Sequence, residues 1–180
     1  MLCRSSSAML RSAPLVVLAF ILGVLPIAAF AQLDRYVPNA QSVGKASLSI
    51  MVWDIFDAEL IAPNAAWDRS QPFALKLSYK LNIAGKRIAD RSIKEIRDQG
   101  FSDEIKLADW HAQMIKIFPD VNSDTSLVGV YTASKETVFL NNNREIGRIA
   151  DPEFGKYFFD IWLGPKSSQP KLRRQLLGRS

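Results

Sequence analysis

The sequence predicts an α+β domain, a largely antiparallel sheet with helices gathered on one face. Three observations predict it. Apolar and polar residues alternate with period two early in the chain, most cleanly in Phe73-Ala-Leu-Lys-Leu-Ser-Tyr-Lys-Leu81. Two stretches of helical periodicity follow between Lys86 and Phe118. Strands then return before two further helices, an order that fits one α+β domain best. With 180 residues, 48% hydrophobic and 23% charged, the chain suits one compact unit and not a disordered one. Nine Gly and nine Pro exclude collagen-like and low-complexity classes.

Residues 1–31 stand outside that domain. Met1 to Ser12 carries Arg4 and Arg11 and no acid, and no charge occurs from Ala13 to Ala31. Pro26 breaks the apolar run, and Ala29-Phe30-Ala31 places small residues where a signal peptidase reads them. The expectation is a signal peptide over 1–31, cleavage before Gln32, and a domain over 32–180 that is periplasmic or secreted. An uncleaved anchor is the competing reading, because the uncharged stretch is long enough to span a bilayer. Removal of Arg4 and Arg11 lowers the net charge from +5 to +3. The single cysteine, Cys3, leaves with them, and disulfides, iron–sulfur clusters and cysteine nucleophiles are then not expected.

Each element has its own warrant. Lys45 to Met51 alternates, with Ala46, Leu48 and Ile50 on one face. Val52 to Ala62 is more evenly apolar, as in a strand covered on both faces. Phe73 to Leu81 is the third strand, closed by Ala84-Gly85. A helix from Lys86 to Gln99 has Ala89, Ile93 and Ile96 as its core stripe and Gly100 as its C-terminal cap. Ser102 is expected to cap a second helix running to Phe118, with Ile105, Ala108, Ala112 and Ile115 as the main stripe, widened by Leu107, Trp110 and Met114. Strands follow at Ser126–Thr132, Thr137–Asn141 and Glu145–Ile149, the last two joined through an asparagine run suited to positive φ. Asp151-Pro152 opens a third helix that closes at Gly164-Pro165, and a fourth spans Gln169 to Leu177.

Signals of chemistry are few. Gly129, Gly147 and Gly155 fit no phosphate-cradling spacing, and no Lys/Arg stripe with interleaved aromatics suggests nucleic acid. The one histidine, His111, sits mid-helix and cannot form a metal cluster alone, so no metal or cofactor is expected. Asp54 and Asp57, three apart on a strand, are expected to point to opposite faces, which argues against a carboxylate pair. Tyr157, Phe158, Phe159 and Trp162 read as the packing of a helix onto the sheet.

Several stretches resemble a known family. Trp53-Asp-Ile-Phe-Asp-Ala-Glu-Leu-Ile-Ala-Pro63 and Ile88-Ala-Asp-Arg-Ser-Ile-Lys-Glu-Ile96 resemble segments of bacterial chalcone isomerase-like proteins. So do Asp151-Pro-Glu-Phe154, Phe158-Phe-Asp-Ile-Trp-Leu-Gly-Pro165 and Leu176-Leu-Gly178, in the same order. The resemblance implies an open-faced β-sandwich, a curved antiparallel sheet with helices layered on one face and a ligand cleft between them. It also implies where catalysis would sit. In the plant isomerases a tyrosine, a lysine and an asparagine follow the turn glycine at three, six and ten residues. Counted from Gly85, those places hold Ile88, Arg91 and Glu95, and an active-site threonine falls near Met51. The arginine that precedes the threonine's strand in the enzymes has no match here, since the one arginine between Leu33 and Ile50, Arg35, comes too early. No catalytic residue is carried over.

Three functions are compatible with these residues. A non-catalytic protein would bind an apolar or amphipathic, fatty-acid-like molecule in the cleft through Met51, Ile88, Arg91 and Glu95, with Arg91 as anchor for a carboxylate. An isomerase or intramolecular lyase would need a rebuilt site. A structural or partner-binding module would fill the cleft with its own side chains. The plain alternative for Arg91 is an exposed i, i+4 pair with Glu95. No motif specifies an oligomeric state.

Overall fold

The structure, a computed structural model, describes residues 32–179. The expected signal peptide and Cys3 lie outside the described residues. Six strands pair in chain order as an antiparallel meander: β1 (Ala40–Ile50), β2 (Trp53–Pro63), β3 (Phe73–Tyr79), β4 (Ser126–Tyr131), β5 (Thr137–Asn141) and β6 (Arg144–Ile149). Between β3 and β4 run α1 (Gly85–Asp98) and α2 (Glu104–Ile117), and α3 (Pro152–Leu163) and α4 (Pro170–Leu176) follow β6. Helix α3 lies on β5, α2 borders β6, α4 borders β1, and α1 packs on α2 and α3. This is the open-faced α+β arrangement that the sequence predicts.

Period-two alternation sorts β3 onto two faces. Phe73, Leu75, Leu77 and Tyr79 join the core beneath the helices, with Ile96, Trp110, Phe154, Phe158 and Leu176. Ala74 faces the other way, into a smaller cluster of Ile61, Val128, Val130, Val138 and Leu140 that Leu33 and Val37 cover. Strand β2 is therefore enclosed on both sides only at Leu60–Ala62; its first half alternates, and Trp53, Asp54 and Asp57 are exposed. The evenly apolar reading of β2 holds for that one end, because the covering segment is only a few residues long.

Three further expectations are corrected. Asp103, not Ser102, caps α2; its carboxylate accepts from the Ile105 and Lys106 N–H groups. The buried stripe of α2 is Leu107, Trp110 and Met114, while Ile105 is 85% exposed and Ala108, Ala112 and Ile115 also face outward. The larger side chains win because burying them removes more apolar area from water than burying two alanines. Trp110 adds a ring stacked on Phe101 and an indole N–H donated to Asp151. In β2, an extra residue at Ile55 shifts the register, pairing Ser49 with Asp54 and Ser47 with Asp57. Both serines lie on one face and donate to these carboxylates, so Asp54 and Asp57 share the outward face. Lys80 and Ser47 hold Asp57 below the usual carboxylate range, so it stays ionised and does not supply a proton near neutral pH.

Candidate functional site

Among the hollows between sheet and helices, two are separated by Phe159, which lines both. The inner one lies where β3 ends and α1 begins, among Leu77, Tyr79, Ile88, Phe118, Phe139 and Trp162. It measures about 40 Å³, room for a water molecule or two. Aromatic packing fills it: the Phe118 and Phe139 ring centres are 4.9 Å apart, and Phe158 stands 5.3 Å from Trp162. Burial pushes the Tyr79 hydroxyl far above its ordinary range, so it stays protonated.

The outer hollow opens at the opposite end of β3 and measures about 380 Å³, within the range of small-molecule sites. Its floor is Phe73, Tyr131 and Phe159, with Trp67 edge-on to Phe73 at 6.0 Å. Phe73 and Phe159 meet edge to face at 4.8 Å. Gly155 permits this floor, since a Cβ there would lie 2.8 Å from Thr137 Oγ1 and 2.9 Å from the Tyr131 ring. The rim is charged. Arg69, from the segment joining β2 and β3, donates through both terminal nitrogens to the Asp160 carboxylate on α3. Lys135, Lys156 and Glu153 complete it, and Glu153 accepts from Lys106 at 2.6 Å. Burial raises the Tyr131 hydroxyl despite the nearby Arg69, leaving it neutral. Trp67 Nε1 and Thr137 Oγ1 are buried without hydrogen-bond partners.

The residues singled out in the sequence are placed as follows. Ile88 is half-buried and lines the inner cleft. Arg91 and Glu95, on the same helix, form an i, i+4 ion pair. The Arg91 side chain is 63% exposed and lines neither hollow, whereas Glu95 is buried and also accepts from Ser168 Oγ at 3.0 Å. Met51 stands apart from all three, 94% exposed at the β1–β2 turn with φ 55°. His111 Nε2 lies 2.7 Å from Asp90 Oδ1 and ties α2 to α1. Among the described residues no cluster of His, Cys, Asp or Glu could hold a metal ion, and no helix is long and apolar enough to cross a membrane.

Trp67, Arg69, Tyr131 and Lys135 carry no signal in the sequence, and Phe159 lines both hollows as well as packing α3 onto the sheet. Arg69 and Asp160 are 91 residues apart, so no local spacing links them. The Phe158–Trp162 aromatics were the visible signal, since Phe159 carries both hollows.

An open antiparallel sheet with a one-sided helical layer and an apolar interlayer space is the architecture that the resemblance to chalcone isomerase-like proteins implies. The chain belongs to the chalcone isomerase-like family, whose sequence pattern matches residues 51–178. It is similar, at 27% identity over 141 residues, to an uncharacterized protein of Haemophilus influenzae, covering 78% of this chain and 69% of that one. In fold it is similar to the crystal structure of an Arabidopsis thaliana fatty-acid binding protein, with a TM-score of 0.58 and 8% identity over 78% of this chain and 87% of that one.

Proposed function

We propose that this is a non-catalytic chalcone isomerase-like protein of the cell envelope that binds a small apolar or amphipathic molecule between its sheet and its helices. The outer hollow carries the reading: an aromatic floor of ligand size with a charged rim. The fatty-acid binding of the Arabidopsis protein is consistent with an apolar ligand in such a layer. Against catalysis stands the inner cleft, where Ile88 occupies the place of the plant tyrosine and apolar rings supply neither charge nor an obvious acid–base pair. The filled inner cleft also favours a second reading, a module whose interlayer space serves packing alone.

Native mass spectrometry of protein purified from its own host separates the two. A co-purifying small molecule, lost on delipidation and regained on reconstitution, is expected. A ligand-free spectrum together with no binding of any amphiphile would favour the packing module. A hydroxychalcone whose absorbance decays faster with protein than without would instead establish an isomerase with a rebuilt site.

A further inference from the structure

We propose that the outer hollow is built for a carboxylate-bearing amphiphile, its apolar chain on the Phe73–Tyr131–Phe159 floor and its carboxylate held between Lys135 and Lys156. This rests on the reading of the interlayer space as a ligand site and names the ligand's class.

The charge balance of the rim is the first argument. Two acids and three bases line the hollow. Asp160 is taken by Arg69, and Glu153 by Lys106, which is not itself a lining residue. Lys135 and Lys156 have no ion pair among the described residues, so two positive charges face an apolar floor unmatched. Lys156 lies 5.1 Å over the Tyr157 ring, a contact that uses its charge but leaves its three N–H donors available.

The placement of Lys135 is the second. It sits in the tight turn between β4 and β5 at φ 65°, a conformation that glycine or asparagine adopts more easily than lysine. The turn is tied down on both sides. Thr132 Oγ1 accepts from the Glu136 N–H and donates to the Glu136 carbonyl, and the Lys135 N–H donates to the Thr132 carbonyl at 2.9 Å. A rigid turn thus holds the base of a lysine at the mouth of an aromatic hollow.

These features select among ligands. A neutral hydrocarbon would leave both ammonium groups unmatched. A polyanion would bring further charge against Asp160 and Glu153 and would lose hydration on the aromatic floor. A monocarboxylate matches the free charge with one group and the floor with its chain. At about 380 Å³ the space is at the small end of ligand sites, which suits a medium-length chain.

The test uses decanoate and decanol below their micelle concentrations, titrated calorimetrically into delipidated protein. Indole N–H resonances report location, Trp67 for the outer hollow and Trp162 for the inner cleft. Decanoate is expected to bind about ten- to hundredfold tighter than decanol, as for hydrogen bonds to a charged group, and to move the Trp67 resonance. The double variant Lys135→Asn, Lys156→Gln, which keeps a residue tolerant of positive φ in the turn, should lose that preference, while Lys171→Ala should keep it. Equal binding of both probes at Trp67, or a preference that survives the double variant, overturns the carboxylate assignment and leaves the binding function standing. Decanoate moving Trp162 alone overturns the site but not the function. Failure of both probes to bind overturns the carboxylate assignment, and removes the binding function with it only where native mass spectrometry also finds no co-purifying molecule.

Discussion

Gly85 shows how little freedom a single position can have. It opens α1 against the chain at residues 118–119, and a Cβ there would lie 2.2 Å from the Phe118 carbonyl oxygen and 2.7 Å from that of Pro119. Both neighbours are backbone, so no rotamer change relieves the clash. The Gly85 N–H meanwhile donates to Asp120 at 2.9 Å. Gly85→Ala is expected to cost about 3 kcal/mol or more in urea unfolding. Arg91→Ala, six residues on, removes an ion pair whose arginine end is largely in solvent. Its expected cost is about 1–2 kcal/mol, more than for an exposed pair, because the buried Glu95 carboxylate keeps only Ser168 as a partner. A loss at Gly85 no larger than that at Arg91 would mean that the 118–119 segment gives way readily.

At the scale of elements, the segment before β1 matters more than its length suggests. Leu33 and Val37 cover the outer face of the sheet, and the Tyr36 hydroxyl donates to Glu145 on β6 at 2.7 Å. The Tyr36 hydrogen bond, with help from Arg148, holds the Glu145 carboxyl below its ordinary value of 4.5. A carboxyl depressed in the folded state contributes stability that is fully present above that ordinary value and lost as pH falls through the folded one. Melting temperatures of the wild type and Glu145→Gln should therefore differ at pH 7 and converge as the pH drops below about 4.5. A gap that stays constant down to pH 3 would assign the difference to packing and not to charge.

For the whole molecule, the buried residues constrain where the chain can be cut. Leu33 is 4% exposed, so processing beyond it would strip the cover from Ile61, Val128 and Val138, whereas a cut before Gln32 leaves the cover intact. Protein from a cell-envelope fraction is accordingly expected to begin at Gln32, read from its N-terminal peptide by mass spectrometry. Met1 retained in a membrane pellet would make the protein an anchored one.

The order and type of the elements were legible in the sequence alone, because alternation in β3, the Ala89–Ile93–Ile96 stripe, the Asn142–Asn143 turn and the Asp151-Pro152 helix start are all local choices. So was family membership, carried by short segments in a fixed order. Which stripe of α2 turns inward was decided by tertiary packing, since both stripes are apolar and only the presence of Phe101 and Phe154 around Trp110 favours one. The Ile55 bulge that brings Asp54 and Asp57 to one face likewise depends on pairing with β1. The site depended on tertiary structure most of all. Ile88 could be placed from its distance to Gly85, but the outer hollow draws Trp67, Arg69, Tyr131, Lys135 and Phe159 from three separate parts of the chain. Secondary structure follows from periodicity within a few residues, whereas a cavity exists only between elements, where the volume that side chains leave unfilled is set by how the layers stack.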